Sequence, residues 1–263
     1  MFIEHDLHIH TYLSPCADET ATVEHYIRKA KELGLKRIGL ADHMWDSAVP
    51  CTVTDYKKLT YEHVSQIQSD VAKCNTDGVT ILYGCETEID KNGLIGISEE
   101  VASRLDFLIV PQSHTHLTMP KEFYEPYRKH AEYMLDRFYD IVESPLNKYI
   151  TTIPHPFAAV ACPYDNRELV RLISDKEFSD CFRAAKEKNI AIEINSGALE
   201  GSMQELRENP MIHMFRIAKE VGCKFVFGSD SHGSTGHDNF WKCYLVAAML
   251  ELKESDLAEF AVL

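Results

Sequence analysis

Four pairs of ionisable residues in this chain of 263 are spaced two apart, each at or soon after the end of a short apolar run: His8/His10, Glu86/Glu88, His114/His116 and Asp230/His232. In an extended strand that spacing puts both side chains on one face, so a single metal ion can see both. Three further runs lead to Asp42-His43, to Glu193 and, immediately beyond the run, to His155. Imidazole nitrogens mixed with carboxylate oxygens, without a clear cysteine set, suit Zn, Mn or Fe rather than calcium or a structural zinc.

A catalytic zinc needs only about three protein ligands and a water. Eight or nine converging candidates are a costly surplus for one ion, because unpaired charges in a cleft must be desolvated or protonated. Two or three divalent ions that share a bridging carboxylate account for the excess.

Convergence requires the strands to end on one face. Apolar runs at Phe2–Ile9, Arg37–Ala41, Val79–Gly84, Phe107–Val110, Tyr149–Ile153, Ile190–Ile194 and Lys224–Phe227 read as buried strands. Amphipathic stretches lie between them. Val23–Leu33 has Thr22 as N-cap and Gly34 as its stop, Ser174–Lys188 repeats the pattern, and Pro210–Val221 opens on proline and is followed by Gly222. Strands alternating with helices imply a mostly parallel α/β sheet, and about seven such units favour a closed barrel, whose strand C-termini form the face where active sites are built.

The chain is 45% hydrophobic and 26% charged, too apolar for disorder. Its length fits one barrel of roughly 250 residues. No linker or repeat marks a boundary, so residues 1–263 read as a single domain. The formal charge of -14 opposes a long nucleic acid and fits a small phosphorylated partner better. Eight singly scattered cysteines read as reduced thiols, and neither a signal peptide nor an apolar run of membrane length is present. A cytoplasmic protein is expected.

The segments Asp6-Leu7-His8-Ile9-His10-Thr11, Ala41-Asp42-His43, Gly84-Cys85-Glu86, Ser113-His114, His155-Pro156 and Gly228-Ser229-Asp230-Ser231-His232 together resemble the PHP (polymerase and histidinol phosphatase) superfamily of metal-dependent phosphoesterases. The resemblance implies a distorted (β/α)7 barrel, in accord with the number of strand–helix units. It also implies a trinuclear centre. His8, His10, Glu86 and Asp230 would hold one metal, Glu86 would bridge to a second completed by His114 and His155, and His43 and His232 would hold the third. Of His114 and His116, the first is taken as the ligand.

The third metal's remaining ligand lies in the loop Ser14-Pro15-Cys16-Ala17-Asp18, where family members place His or Asp. Counting from the first histidine selects Cys16; counting back from Thr22 selects Asp18. Asp18 is preferred, because a hard carboxylate matches the other ligands.

The resulting expectation is attack on phosphorus by metal-activated hydroxide, with Glu86 and Asp230 at the reacting centre and no residue assigned as the acid. A small phosphomonoester is the expected substrate, histidinol phosphate being the best single choice. The alternatives are a nucleotide or oligonucleotide phosphoesterase of the same superfamily, and an amidohydrolase-type metallohydrolase. The latter expects a ligand lysine after a middle strand, which this chain lacks.

Asp6, and Glu193 with Asn195, are placed to orient ligand imidazoles or to cap loops. His25, His63, His130 and His213 fall within helices among charged residues and read as surface positions. Arg167, Lys121 and Arg128 read as solvated side chains rather than phosphate contacts.

Overall fold

The computed structural model describes residues 2–160, 162 and 165–262. Eight strands form one all-parallel sheet: β1 His5–Ile9, β2 Arg37–Leu40, β3 His43–Met44, β4 Thr80–Thr87, β5 Phe107–Ile109, β6 Thr152–Ile153, β7 Ala191–Asn195 and β8 Phe225–Gly228. Their order is β1-β2-β4-β5-β6-β7-β8, and β3 also pairs with β4. β2 and β3 are therefore one interrupted stave, leaving the seven staves expected from the sequence. The sheet closes where β8 meets β1, through the parallel bridge Ile9–Ser231 and the bonds Asp230 N to His8 O at 2.8 Å and His10 N to Ser231 O at 2.9 Å.

The helices form where the sequence punctuation places them. Thr22 caps the helix Val23–Leu33 and Gly34, at φ 73°, ends it. Ser174 and Glu177 form a capping box on Asp175–Glu187, and Gly222, at φ 87°, ends Pro210–Val221. Outward strand residues such as Ile38, Leu40, Cys85, Leu108, Ile192 and Phe227 join the helices' apolar faces in the main core. No helix among the described residues is long and apolar enough to cross a membrane.

The barrel interior is a second, narrower core. Leu7, Ala191 and Val226 pack with Leu82 and Phe260, and Ala41, Phe107 and Ile109 continue that layer. Arg37 Nη1 donates to the carbonyls of Phe260 and Val262 at 2.5 and 2.8 Å, which seats the C-terminal segment against the bottom of the barrel. Gly84 makes room for Phe107: a Cβ there would lie 2.5 Å from its ring. Gly84→Val should therefore cost about 1–3 kcal/mol as an overpacked core position. Urea unfolding measures this, and an unchanged midpoint would contradict the interior placement of Phe107.

Candidate metal centre

The strand ends turn polar abruptly. On β1 a bulge between Asp6 and Ile9 breaks the alternation, so that Leu7 packs into the interior core while His8 also faces inward, onto Glu193 of β7. Bulges re-aim side chains next to functional sites in this way. Asp6 is turned out of the barrel: Oδ1 accepts from Ser229 N at 2.8 Å, and Oδ2 lies 2.9 Å from His237 Nε2. Asp6 and His237 thus fasten the β1–β8 seam, and Asp6 orients none of the imidazoles in the cup. Two residues of the site, His155 at φ 28° and Asp230 at φ 56°, occupy left-handed backbone, a strain that folds tend to store where function requires it.

Glu86 is the hub. Its Oε2 lies 3.6 Å from His8 Nε2, 3.4 Å from His10 Nε2 and 3.2 Å from His43 Nδ1. Its Oε1 lies 3.1 Å from His155 Nε2 and 3.8 Å from His114 Nε2. Asp230 Oδ1 completes one side, 3.5 Å from His8 Nε2 and 3.3 Å from His10 Nε2. The His232 ring stacks on His10 with centroids 4.2 Å apart. Every residue the sequence nominated except Asp18 is thereby gathered into one cup.

The imidazoles are aimed by what their other nitrogens touch. His8 Nδ1 meets Glu193 Oε1 at 2.9 Å, and Glu193 Oε2 accepts from Asn195 Nδ2 and His155 N. His10 Nδ1 pairs with Ser14 Oγ, His114 Nδ1 with Glu88 Oε1 at 2.8 Å, His155 Nδ1 with Ser113 Oγ at 2.6 Å, and His232 Nδ1 with the Asp230 carbonyl at 2.7 Å. Holding Nδ1 in this way presents Nε2 to the centre, the usual outer-shell arrangement of metal-binding histidines. Gly228 permits the His8–Glu193 contact, since a Cβ there would stand 1.9 Å from Glu193 Oε1.

Divalent ions fit this donor set. Three groups of donor atoms, each within 4.8 Å of one another, are His8/His10/Asp230, His8/Glu86/His155 and His10/Cys16/His43/His232. His43 Nδ1 is buried without a hydrogen-bond partner among the described residues, although it faces Glu86. Two imidazole nitrogens 3.1 Å apart, His8 Nε2 and His10 Nε2, point at the same space.

Asp18 is elsewhere. Its side chain is exposed, and its carboxylate accepts from Thr20 N and Thr20 Oγ1, bonds that hold it below the usual carboxylate range. Cys16, in the same loop, reaches the cup instead. Burial, with Glu86 nearby, pushes the Cys16 thiol up to about 12.

His116 sits at the rim, its ring 5.6 Å from that of His114. Asp42 is consumed by Thr11 N, Thr11 Oγ1 and Ser14 Oγ at 2.6–2.7 Å and holds the loop after β1. The surface reading of His25 and His130 is corrected: both are buried, and His130 bonds Thr115 Oγ1 at 3.0 Å from the inward face of Tyr127–Glu143. His213 is exposed and pairs with Asp175 at 2.8 Å. Arg128 is held by Glu132 and Glu177. Ser14, Ser113 and the pairing of Glu88 with His114 carry no signal in the sequence, because each depends on a neighbour from another element.

Electrostatics within the cup are mutual. Burial alone would lower His114, but Glu88 and Glu86 outweigh it and raise it from 6.5 to about 9. Burial drives His232 down to about 4, with His10 adding to the effect. Burial would raise Glu86, yet His114, His8 and His155 hold it well below the carboxylate range. Because the folded value of His114 lies above its unfolded one, its stabilising contribution is complete below pH 6.5 and is lost as pH rises through about 9. The Tm of chelator-treated protein should fall across that window, and His114→Gln should flatten the fall; a wild-type Tm independent of pH there would contradict this assignment.

The model of the PHP domain matches residues 6–244. A protein named "Probable phosphatase" from Caldicellulosiruptor saccharolyticus is 29% identical over 236 residues, spanning 89% of this chain and 82% of the relative. Another, from Clostridium novyi, is 26% identical over 242 residues, spanning 90% and 82%. Among solved structures, the histidinol phosphate phosphatase of Lactococcus lactis, complexed with zinc, L-histidinol and phosphate, superposes with a TM-score of 0.62 at 18% identity, covering 95% of both chains. The match over residues 6–244, on a barrel whose strand ends carry the histidine and carboxylate clusters, establishes that the chain belongs to the PHP domain family.

Proposed function

We propose that this protein is a metal-dependent phosphatase acting on a small phosphomonoester at a centre of two to three divalent ions. The observation that carries the reading is the division of Glu86, one oxygen toward His8, His10 and His43 and the other toward His114 and His155. A carboxylate so placed suits the bridge between two ions. His8, His10 and Asp230 would hold the first, Glu86 with His114 and His155 the second, and His43 with His232 the third. Bound there, such ions would lower the pKa of a water nucleophile and offset charge on phosphoryl oxygens. Glu193, Ser14, Glu88 and Ser113 occupy the outer nitrogens and so fix the direction of the inward ones.

The substrate reading rests on the space beside the cup. A cavity of about 720 Å³ opens between the loop after β6 and the loop after β7, with His155 and Asp230 at its inner end and Ala158, Ala198 and Met211 in its wall. Among its described residues Arg167 is the one guanidinium or ammonium group, and Asp165 already binds it at 2.7–2.9 Å, while Glu200 adds a further negative charge. That balance favours a neutral or cationic leaving group over a second phosphate. L-Histidinol, the ligand of the Lactococcus lactis relative, has that character, and histidinol phosphate is the substrate proposed.

Metal-loaded protein should hydrolyse histidinol phosphate faster than a 3′,5′-bisphosphonucleotide. Glu86→Gln should lose more than the roughly 10–100-fold typical of an outer-shell change while keeping its far-ultraviolet circular dichroism. Preference for the bisphosphonucleotide would sink the substrate assignment. Near-normal turnover by Glu86→Gln would remove the bridge.

A further inference from the structure

One edge of the cup differs chemically from the rest. His10, His43 and His232 share it with a sulfur: a nitrogen from each and Cys16 Sγ all lie within 4.8 Å of one another. Ligands on a tetrahedral zinc stand about 3.5 Å apart, so small side-chain rotations close the set. The other two donor groups each contain a carboxylate, from Asp230 or Glu86; this one contains none. No other cysteine belongs to such a group among the described residues.

Three further observations converge here. Asp18, the carboxylate of the same loop, is spent on Thr20. The loop is pinned on both sides of Cys16, by Ser14 Oγ on Asp42 at 2.6 Å and by Asp18 N on the His232 carbonyl at 2.9 Å. His43 is buried and its Nδ1 has no hydrogen-bond partner among the described residues. Cys16 itself lines the mouth of the 390 Å³ cavity that the cup opens into.

We propose that Cys16 is a thiolate ligand of the metal position held by His43 and His232, beside His10, in place of the carboxylate oxygens used by the rest of the centre. The proposal rests on the metal-dependent reading above and deepens it. A sulfur ligand makes this position softer than its neighbours, so zinc or cobalt is favoured there over manganese. Cys16 stands exposed at the mouth of the cup, open to an incoming ion.

The test is cobalt loading of the whole chain, read by absorption and metal content. Wild type should show a near-ultraviolet thiolate-to-cobalt charge-transfer band. Cys16→Ser should lose the band and one equivalent of cobalt, whereas Asp18→Asn should keep both.

Cobalt uptake without a thiolate band, or a band that persists in Cys16→Ser, would overturn the assignment and leave the metallophosphatase reading standing. Failure of the wild type to take up cobalt at all would overturn both.

Discussion

Glu86 is 1% exposed and ionised in the middle of a ring of imidazoles, and a buried carboxylate survives only where cations or hydrogen bonds meet both of its oxygens. Much of the barrel's upper half answers that requirement. Five histidines from four staves point at it, and each except His43 is steadied from behind by a partner on its remaining nitrogen. The bulge in β1 and the glycine at 228 exist in the same cause, since one turns His8 inward and the other leaves space for Glu193 behind it.

The lower half of the barrel makes this arrangement possible. Phe107, Leu7, Leu82, Val226 and Phe260 fill the interior below the cup, so the charged layer rests on a dry floor and opens to solvent on one side only. In such surroundings electrostatic interactions act more strongly than in water, and the large opposed displacements of His114 upward and Glu86 downward follow. A set of charges so strongly coupled is poised to exchange protons for metal cations.

The sequence carried the scaffold well because the scaffold depends on local chemistry. Thr22, Gly34, Ser174, Pro210 and Gly222 each mark a helix end that the structure reproduces within a residue, and the histidine and carboxylate pairs lie at strand ends because a spacing of two is a strand's own period. What it concealed depends on neighbours distant in the chain. Cys16 and Asp18 are two residues apart, and hydrogen bonds to Thr20 and Asp42 leave the Cys16 side chain, not that of Asp18, beside the His43 and His232 rings. Asp6 shares the alternation of His8 and His10, yet the bulge between Asp6 and Ile9 puts it outside the barrel. His130 looked solvated among charged residues, but its face of the helix turns toward Thr115. The extended segment read at Tyr149–Ile153 pairs only over Thr152–Ile153, and the stave read at Arg37–Ala41 stops at Leu40 and resumes at His43–Met44.

The role proposed for Glu86 requires that it lie between metal ions. Anomalous diffraction at the zinc edge, from crystals of zinc-loaded protein, tests this most directly. Peaks on both sides of the Glu86 carboxylate, one against Oε2 beside His8 and His10 and one against Oε1 beside His114 and His155, are the expected result. A single peak, or peaks that leave Glu86 unbound, would contradict it.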